Sequence, residues 1–529
     1  MAETVVGENG MVVAPHRAAA ESGAAVLRAG GNALEAMIAA AATIAVVYSH
    51  MNGIGGDVFF IVVEPGRPPR AVSACGRAGA RSTIARYHER GYDTLPARGV
   101  DAMVTVPGAV SGWQQAIDIA GSLGGRLPRR DLLADAIAYA KDGSAVTRSQ
   151  AAAIAEDREG LTQAPGFADH FMVDGKAPEV GATFTQPRLA DTLDHLAHAG
   201  FEDFYRGDIS AEIAADLQQL DAAITRADLV AHTATLEDPL SVRFDKAMLY
   251  NTPPPTQGLA SLIILALFDR LGIARGESFD HIHGLIEATT RAAAVRDTEI
   301  RDPDVVGDID RFLQAAWLDP TAAGIDMRQA SAPDAGPGDG DTIWAGAIDQ
   351  DGLSVSFIQS LYWAFGSGVV LPRTGIVWQN RGIGFSLDPG SHDPLVPGRR
   401  PAHTLTPPFA RFDDGRALVY GSMGGDGQPQ FQSAIFTRHV CFGMEPGEAI
   451  AAPRWRWGRT WGEDRPGVAV ESRFDPDLVA ALSRAGHDMH VLDVPYADQM
   501  GHAGMIVRRA DGRLLGASDP RCDGAAVAA

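Results

Sequence analysis

The sequence has few of the features that mark metal, redox or nucleic-acid-binding proteins. Its 529 residues include only three cysteines, Cys75, Cys441 and Cys522, which lie far apart and match no zinc or redox spacing. Acidic residues outnumber basic ones, 66 to 45, and the formal net charge of -21 argues against nucleic acid or an anionic membrane as a partner. The hydrophobic share of 46% and the charged share of 21% are typical of a soluble globular protein.

A long apolar run is also missing. The most apolar helix candidate, residues 36–48, is too short to cross a bilayer. The N-terminal segment has no basic stretch followed by an apolar one, so we expect no secretory signal. The sequence therefore predicts a cytoplasmic protein with no membrane partner.

Length and residue patterns indicate a mixed fold. A chain of this size is too long for one simple core, so we expect one large or two intertwined domains. Apolar residues at three- and four-residue spacing predict a mostly helical region over about 105–330, interrupted by an extended section at 241–251. Strand patterns dominate from 342 onward, with one late helix at 475–485. These patterns predict an α+β chain whose last third is rich in strands.

Residues 338–349 join two opposite kinds of sequence. The preceding residues, 331–337, are rich in proline, glycine and aspartate, which favours an exposed loop. The following residues, 343–348 and 353–358, have the composition of two strands, and the Asp-Gly turn between them is a strong hairpin signal. A loop that a protease could reach therefore meets a buried hairpin at this point.

Thr342 lies at that junction. Cutting the bond between Asp341 and Thr342 would give Thr342 a free α-amine beside its own hydroxyl. A threonine with a free amine carries a nucleophile and its base in one residue. An isolated Asp-Thr pair is more often an ordinary turn or strand start, so the catalytic interpretation depends on the rest of the chain.

Four further stretches carry chemistry that could serve such a nucleophile. Ser360 stands on the returning strand of the hairpin, and residues 376–382 cluster amide and guanidinium donors suited to a carboxylate or an amide. Residues 399–407 place a histidine and a threonine beside prolines, and residues 421–425 expose backbone N–H groups of the kind that an oxyanion hole needs. Taken singly, each also fits a surface arginine, a structural turn or a glycine bend.

Two other patterns suggest different chemistry and are weaker. His281 and His283 bracket one residue, but on a helix they point to different faces, and the sequence offers no third ligand nearby, so we expect no metal. The glycine-rich loop at 51–57 precedes a strand and lacks a following Lys-Ser/Thr, which excludes a phosphate-binding or dinucleotide loop. We expect no cofactor.

Together these stretches resemble the gamma-glutamyltransferase family of N-terminal-nucleophile hydrolases. The resemblance covers nearly the whole chain, and the stretches that carry it, besides the Gly-Asp-Thr start, are 16–56, 106–113, 253–258, 286–297 and 518–525. It implies a four-layer αββα sandwich and self-cleavage before Thr342, with a processing loop at 331–341. The products would be a large subunit, 1–341, and a small one, 342–529, joined in one intertwined heterodimer that could itself pair.

The resemblance also implies roles for individual residues. Thr342 is the nucleophile and its freed amine the general base, while Ser360 matches a second threonine that assists the nucleophile and the cut. The amides of Gly424 and Gly425 match the oxyanion hole. The implied mechanism is acyl transfer, in which Thr342 attacks an amide and the acyl-enzyme is released to water or to an amine.

Several positions depart from the family pattern. They are the positions that bind the α-ammonium and α-carboxylate groups of an amino-acid substrate. Gly384 stands where the family has an aspartate for the substrate ammonium, and His403 and Thr404 replace paired serines. Tyr362 replaces an asparagine, and the carboxylate-binding arginine is displaced to Arg77. A substrate ammonium without its partner would be buried unpaired, at a cost of several kcal/mol.

We therefore expect a small acidic or neutral amide without an α-amine, as in oxamate amidohydrolase-like and acylase-like members of the family. The candidate substrate-binding residues are Tyr362, Arg381, His403, Thr404 and Arg77. The short loop at 388–398 favours hydrolysis over transpeptidation. Genuine gamma-glutamyl transfer is the nearest alternative. A non-catalytic relic acting as a structural or binding protein and a metal-dependent hydrolase using His281 and His283 are the others.

Overall fold

The computed structural model describes residues 2–331, 341–458 and 467–529, and of Asp341 only the backbone. Most of the predicted processing loop therefore lies outside the described residues. The elements named below belong to these ranges.

The strands vary from two to nine residues in length. They are β1 (Val5–Gly7), β2 (Gly10–Ala14), β3 (Asp57–Val63), β4 (Arg70–Ala74), β5 (Ser144–Ala145), β6 (Thr183–Phe184), β7 (Thr235–Glu237), β8 (Leu240–Phe244), β9 (Ala247–Asn251), β10 (Asp341–Asp349), β11 (Ser354–Tyr362), β12 (Phe409–Phe412), β13 (Ala417–Ser422), β14 (Trp455–Trp457), β15 (Val468–Val470), β16 (Met489–Val491), β17 (Ala503–Arg508), β18 (Leu514–Ser518) and β19 (Ala525–Ala528).

Most of the helices precede the β10–β11 hairpin. They are α1 (Arg17–Arg28), α2 (Ala33–Val47), α3 (Ile84–Glu89), α4 (Ala109–Ser122), α5 (Arg129–Asp142), α6 (Arg148–Glu156), α7 (Arg158–Gln163), α8 (Phe167–Phe171), α9 (Pro187–Ala199), α10 (Asp203–Arg206), α11 (Asp208–Gln219), α12 (Arg226–Ala231), α13 (Gly258–Arg270), α14 (Phe279–Glu299), α15 (Ala315–Ala323), α16 (Gln428–Val440), α17 (Pro446–Ala451) and α18 (Pro476–Arg484). Short 3-10 turns lie at Val100–Ala102, Asp310–Leu313, Arg381–Gly384, Gly425–Gly427 and Asp498–Met500.

Two seven-stranded antiparallel sheets form the centre of the molecule. The first has the order β1-β18-β17-β13-β12-β9-β8 and the second the order β19-β2-β10-β11-β3-β4-β7. Each sheet combines strands that precede Thr342 with strands that follow it. The two parts of the chain are consequently interleaved through both sheets.

The alternation of side chains along the strands builds the layers. In β10, Trp344 points into the core between the two sheets, together with Phe59 of β3 and Val419 of β13. The next residue, Ala345, faces the opposite way, into the core shared with α2 and its neighbours. On the far side of the first sheet, α13, α14 and α16 cover the outer face. The predicted four-layer αββα sandwich is confirmed.

The predicted hairpin is present and longer than expected. Strands β10 and β11 pair from Asp341↔Tyr362 to Ile348↔Ser354, with an irregularity between Asp341 and Ile343. Because Ile343 pairs with Gln359, two residues of β11, Ser360 and Leu361, face one residue of β10, Thr342. A bulge of this kind bends a strand and re-aims its side chains. Thr342 and Ser360 lie within it.

The helical region and the late helix, α18, are as predicted, and the extended section at 241–251 is the β8–β9 hairpin. The expectation of one helix after residue 342 is wrong, because α16 and α17 also lie there. Helix α16 has no apolar stripe in its sequence because buried glutamines occupy its inner faces. Gln430 bonds the backbone of Trp457, and Gln432 bonds Thr406. A helix stabilised by buried amides gives no periodic apolar signal.

Candidate active site

The centre of the candidate site is a pair of hydroxyls at the start of the hairpin. Thr342 is fully buried, and its Oγ1 donates a hydrogen bond to Ser360 Oγ at 3.0 Å. Ser360 Oγ also accepts the backbone N–H of Tyr362 at 2.8 Å. The bulge in β11 makes this contact possible, because it turns the Ser360 side chain toward Thr342 at the start of β10. The geometry places a hydroxyl donor and its acceptor at the predicted cleavage point.

Tyr362 holds a conformation that is rare for a bulky side chain. Its φ is +83°, in the left-handed region. Such backbone costs of order 1–3 kcal/mol and is typical of functional sites. Its ring lies against the guanidinium of Arg381, whose Cζ is 3.4 Å from the ring centroid. Arg381 Nη1 also donates to Thr404 Oγ1 at 3.1 Å. Stacking and this bond hold a buried cation beside the hydroxyl pair.

Gly384 leaves room for that cation. A Cβ built on Gly384 would lie 3.1 Å from Arg381 Nη2, closer than ordinary van der Waals contact. Any side chain at this position would displace the guanidinium or bind it. An aspartate here, the residue of the resembling family, would therefore reach the Arg381 guanidinium.

His403 precedes Thr404 of this cluster, and its side chain faces Asp57. Its Nε2 is 3.2 Å from Asp57 Oδ2, and its ring meets that of Phe59 edge-on. Burial lowers the pKa of His403 well below its ordinary value, so the ring is neutral, with Nε2–H as the donor to Asp57. The expectation that His403 binds substrate stays a prediction. Its ring is 3% exposed and bonded to a carboxyl, which suits positioning of the neighbouring Thr404.

Asp57 was missed in the sequence and is a central polar residue of the fold. Its Oδ1 accepts the N–H groups of Gly76 and Gly108 at 3.2 and 2.9 Å and the Nε2 of Gln379 at 3.1 Å. Burial raises the pKa of Asp57 to about 7, against the effect of these three donors. The only sequence signal was its place directly after the Gly55-Gly56 pair.

Gly424 and Gly425 follow β13 at a sharp turn. Their φ values are +123° and +50°. A Cβ on Gly424 would lie 2.6 Å from Phe431, so only glycine fits. Among the residues that the structure describes, neither amide N–H donates a hydrogen bond. Two amides that have no partner among the described residues suit an oxyanion.

Gln257 connects this turn to the cation cluster. Its Nε2 donates to the carbonyls of Thr404 and Gly425 at 2.8 and 2.9 Å. Its Oε1 lies 3.4 Å from Nη1 of Arg296, a partly buried arginine that also faces Asp426 at 3.7 Å. Burial lowers the pKa of Arg296, but the nearby carboxylates of Asp426 and Asp297 raise it by more. The sequence offered Gln257 and Arg296 only as members of family-like stretches.

The structure does not bring Arg77 into the cluster. Its Nη1 bonds Asp304 Oδ2 at 2.9 Å and the carbonyl of Gly398 at 2.8 Å. The side chain is 41% exposed and lines a separate cavity of about 470 Å³ with Cys75 and Arg400. Two carboxylates, Asp302 and Asp304, already face it, and the expectation that Arg77 binds substrate stays a prediction.

The two candidate metal histidines point apart, as expected. His281 Nε2 faces Thr437 Oγ1 at 2.9 Å, whereas His283 Nδ1 faces His487 Nε2 at 2.8 Å. The expectation that no third ligand lies nearby is wrong, because Glu287 and His487 both approach His283. This cluster is built on α14 and the loop that follows α18, and the hairpin takes no part in it.

The family can be assigned from comparison with known proteins. The model of the gamma-glutamyltranspeptidase family matches residues 19–529. The chain belongs to the gamma-glutamyltranspeptidase family. It is an amidohydrolase with the fold of N-terminal-nucleophile hydrolases, as its relatives and structural neighbours are.

Three relatives of this gamma-glutamyltranspeptidase-family chain are informative. It is 50% identical to the oxamate amidohydrolase proenzyme of Klebsiella pneumoniae subsp. pneumoniae, over 99% of each chain. It is 38% identical to the glutathione hydrolase-like YwrD proenzyme of Bacillus subtilis, over 100% of each. Among solved structures, cephalosporin acylase from Bacillus halodurans superposes with a TM-score of 0.91 at 34% identity, covering 100% of this chain and 97% of that one.

The helices of the described ranges give no candidate for a membrane span. None of them combines sufficient length with sufficient apolar character.

Proposed function

We propose that this chain cuts itself between Asp341 and Thr342 and then hydrolyses a small acidic amide of the oxamate kind through a threonyl ester. The observation that carries the proposal is the buried 3.0 Å hydrogen bond from Thr342 Oγ1 to Ser360 Oγ at the start of β10. The proenzyme names of the relatives support the self-cleavage step.

The proposed reaction uses Thr342 twice. Its Oγ attacks the amide carbonyl, and the Oγ proton passes to the α-amine that the cut has released. The oxyanion forms against the amides of Gly424 and Gly425. The C–N bond then breaks, the amine proton leaves with the nitrogen, and water cleaves the ester to regenerate Thr342. For oxamate the products are oxalate and ammonia.

We propose that Arg381 binds the carboxylate of the substrate. Its guanidinium is buried and held by Tyr362 and Thr404, so its remaining N–H groups are pre-oriented. A planar guanidinium suits a carboxylate held by two parallel bonds. Gly384 supplies no negative charge for a substrate ammonium, which favours an acid without an α-amine over a gamma-glutamyl compound.

After the cut, the fragments 1–341 and 342–529 would stay together as a heterodimer. Both central sheets contain strands from each fragment, and β10 pairs with β2 of the large fragment. Separating them would open both sheets and the apolar core between them, at a large free-energy cost. We therefore propose a pair of inseparable subunits as the active form.

The substrate proposal is tested by measuring kcat/KM for oxamate, for neutral small amides and for gamma-glutamyl-p-nitroanilide. We expect oxamate to be the best of these, and Thr342→Ala to lower turnover by about 10⁴-fold or more because the nucleophile is gone. Thr342→Ser, which keeps a hydroxyl and an α-amine, is the matched control and should retain activity.

A preference for the gamma-glutamyl compound would overturn the assignment of substrate and leave the nucleophile in place. An active Thr342→Ala enzyme would overturn the mechanism. Processing without hydrolysis of any amide would contradict the enzyme proposal and favour a binding role.

A further inference from the structure

We propose that His283, Glu287 and His487 form a binding site for one zinc-like divalent metal ion, away from the catalytic hairpin. Among the described residues, one ligand atom from each of these three side chains lies within 4.8 Å of the others. The site has a structural role: it joins α14 to the segment after α18. It is independent of the reaction proposed for Thr342.

The arrangement follows from the helix. His283 and Glu287 are four residues apart on α14, so both side chains emerge from one face. His487 approaches from the loop that follows α18, directly after Gly486, whose φ is +108°. All three are buried, with exposures of 0%, 1% and 8%. Two imidazoles and a carboxylate are a ligand set that zinc accepts, with a fourth position open to water.

A second contact fixes the tautomer of His283. Its Nε2 is 2.8 Å from the carbonyl oxygen of Asp326, which can only accept a hydrogen bond. Nε2 therefore carries the proton, and Nδ1, the atom that faces His487, has a lone pair that can accept a hydrogen bond or bind a metal ion. A histidine that ligates a metal through one nitrogen usually donates its other N–H to a carbonyl or carboxylate in this way.

The histidine pair needs little movement to accept an ion. His283 Nδ1 and His487 Nε2 are 2.8 Å apart, with the His487 N–H donating to His283. Two nitrogens on a tetrahedral zinc with bonds of 2.0–2.1 Å lie about 3.3 Å apart. A neutral imidazole can carry its proton on either nitrogen, so His487 can hold it on Nδ1 and leave Nε2 to bind the ion.

Glu287 retains capacity for an ion despite its other contacts. Its Oε1 accepts the Ser331 N–H at 3.0 Å, and its Oε2 accepts the Ser331 hydroxyl at 2.5 Å and Arg291 Nη1 at 2.8 Å. A carboxylate has about four lone-pair sites, so one remains on Oε1. The Ser331 hydroxyl and the Arg291 guanidinium both donate to this carboxyl, which favours the ionised form that binds a cation.

The position of the site suggests what the ion would do. Ser331 is the last described residue before the segment 332–340, and Ala330 N–H bonds the carbonyl of Ala485 beside His487. If the chain is cut as proposed, His283 and Glu287 belong to the large fragment and His487 to the small one. The ion would then connect the two fragments and fix the end of the segment that leads to the cut.

The test uses the full-length protein, treated with a chelator and then titrated with zinc by calorimetry and with cobalt by visible absorption. We expect one ion per chain, a tetrahedral cobalt spectrum, and a rise of a few degrees in the unfolding midpoint at saturating zinc. Thr342→Ala, which cannot be cut, should bind equally well, so the result does not depend on the proposed self-cleavage.

Variants separate a metal site from a hydrogen-bonded pair. His487→Gln keeps an N–H for His283 Nδ1 but loses the imidazole ligand, and it should weaken zinc binding by about 100-fold or more. His490→Gln, in the same segment, is the matched control because His490 lies outside the cluster and faces Asp488. His283→Ala should also abolish binding. If that variant does not fold, His487→Gln and the zinc-dependent midpoint of the wild type decide the question.

Absence of stoichiometric binding, or binding that survives His487→Gln unchanged, would overturn the proposal. In that case the three residues act only as a hydrogen-bonded link between α14, Ser331 and α18.

Discussion

The hydroxyl pair and the cation cluster lie side by side but are positioned in different ways. Thr342 and Ser360 are placed by the backbone ladder of β10 and β11 and by the bulge within it. The cluster of Tyr362, Arg381 and Thr404 joins a strand end, a 3-10 turn and an irregular segment through side-chain contacts alone. Backbone ladders tolerate side-chain change, so the reaction can stay the same while the substrate changes.

Substitution of Arg381 should give the largest separation between substrate recognition, which it weakens, and self-cleavage, which it leaves in place. Arg381→Gln removes the buried cation, and we expect kcat/KM for oxamate to fall roughly 10- to 150-fold, as for loss of a charged hydrogen bond worth 1.5–3 kcal/mol. Self-cleavage should continue, because Arg381 is held by Tyr362 and Thr404, whereas the β10–β11 ladder positions Thr342. Arg381→Lys is the control that keeps the charge without the planar fork.

A loss of self-cleavage in Arg381→Gln would contradict the view that the hydroxyl pair and the cation cluster are positioned independently. It would mean that the cation cluster also organises the nucleophile.

Gly384→Asp should neutralise the positive charge of the cation cluster. The new carboxylate would lie against Arg381 Nη2 and neutralise it. We expect kcat/KM for oxamate to fall about tenfold and the ratio of gamma-glutamyl to oxamate activity to rise, since a charged pair is worth 1–3 kcal/mol at such distances. Steady-state kinetics on both substrates measure this ratio.

Gly384→Ala separates the bulk of the new side chain from its charge. Equal effects of alanine and aspartate on both substrates would contradict the charge argument.

Ser360→Ala should affect the hydroxyl pair and spare recognition. Removing the acceptor of the Thr342 hydroxyl costs about 0.5–1.5 kcal/mol, so self-cleavage and kcat should each slow by roughly 2- to 12-fold. KM for oxamate should change little. Ser360→Thr keeps the hydroxyl and is the control. A change confined to KM would show that Ser360 binds the substrate instead of assisting the nucleophile.

The smallest effect concerns pH. Asp57, with a pKa raised to about 7, carries a charge near Arg381 only above that pH. Below it Asp57 is neutral and Arg381 attracts an anionic substrate fully. As pH rises through 7, Asp57 loses its proton and its negative charge weakens that attraction, so KM for oxamate should rise a few-fold. Asp57→Asn should flatten this part of the KM profile and leave the pH dependence of kcat in place.

Much of the fold was predictable because its signals are local. The Asp-Gly turn and the two apolar runs fixed the β10–β11 hairpin, and three- and four-residue spacing identified most helices. Helix α16 was missed because its buried glutamines are satisfied by distant partners such as Thr406. A sequence pattern cannot show a partner that the fold brings from elsewhere in the chain.

The candidate site divides in the same way. Thr342 and Ser360 were found together because a hairpin sets their register. Asp57, Gln257 and Arg296 were missed as site residues, since their contacts join segments that are distant in the chain. Arg77 was assigned by motif position, and its two facing carboxylates, which come from residues beyond 300, were not foreseeable.

The most direct test of the account is the intact mass of the purified wild type and of Thr342→Ala, with N-terminal sequencing of any small fragment. We predict two wild-type fragments, the smaller beginning at Thr342, and a single uncut chain for the alanine variant. A small fragment that begins at another residue, or a cut alanine variant, would contradict the claim that Thr342 is the nucleophile.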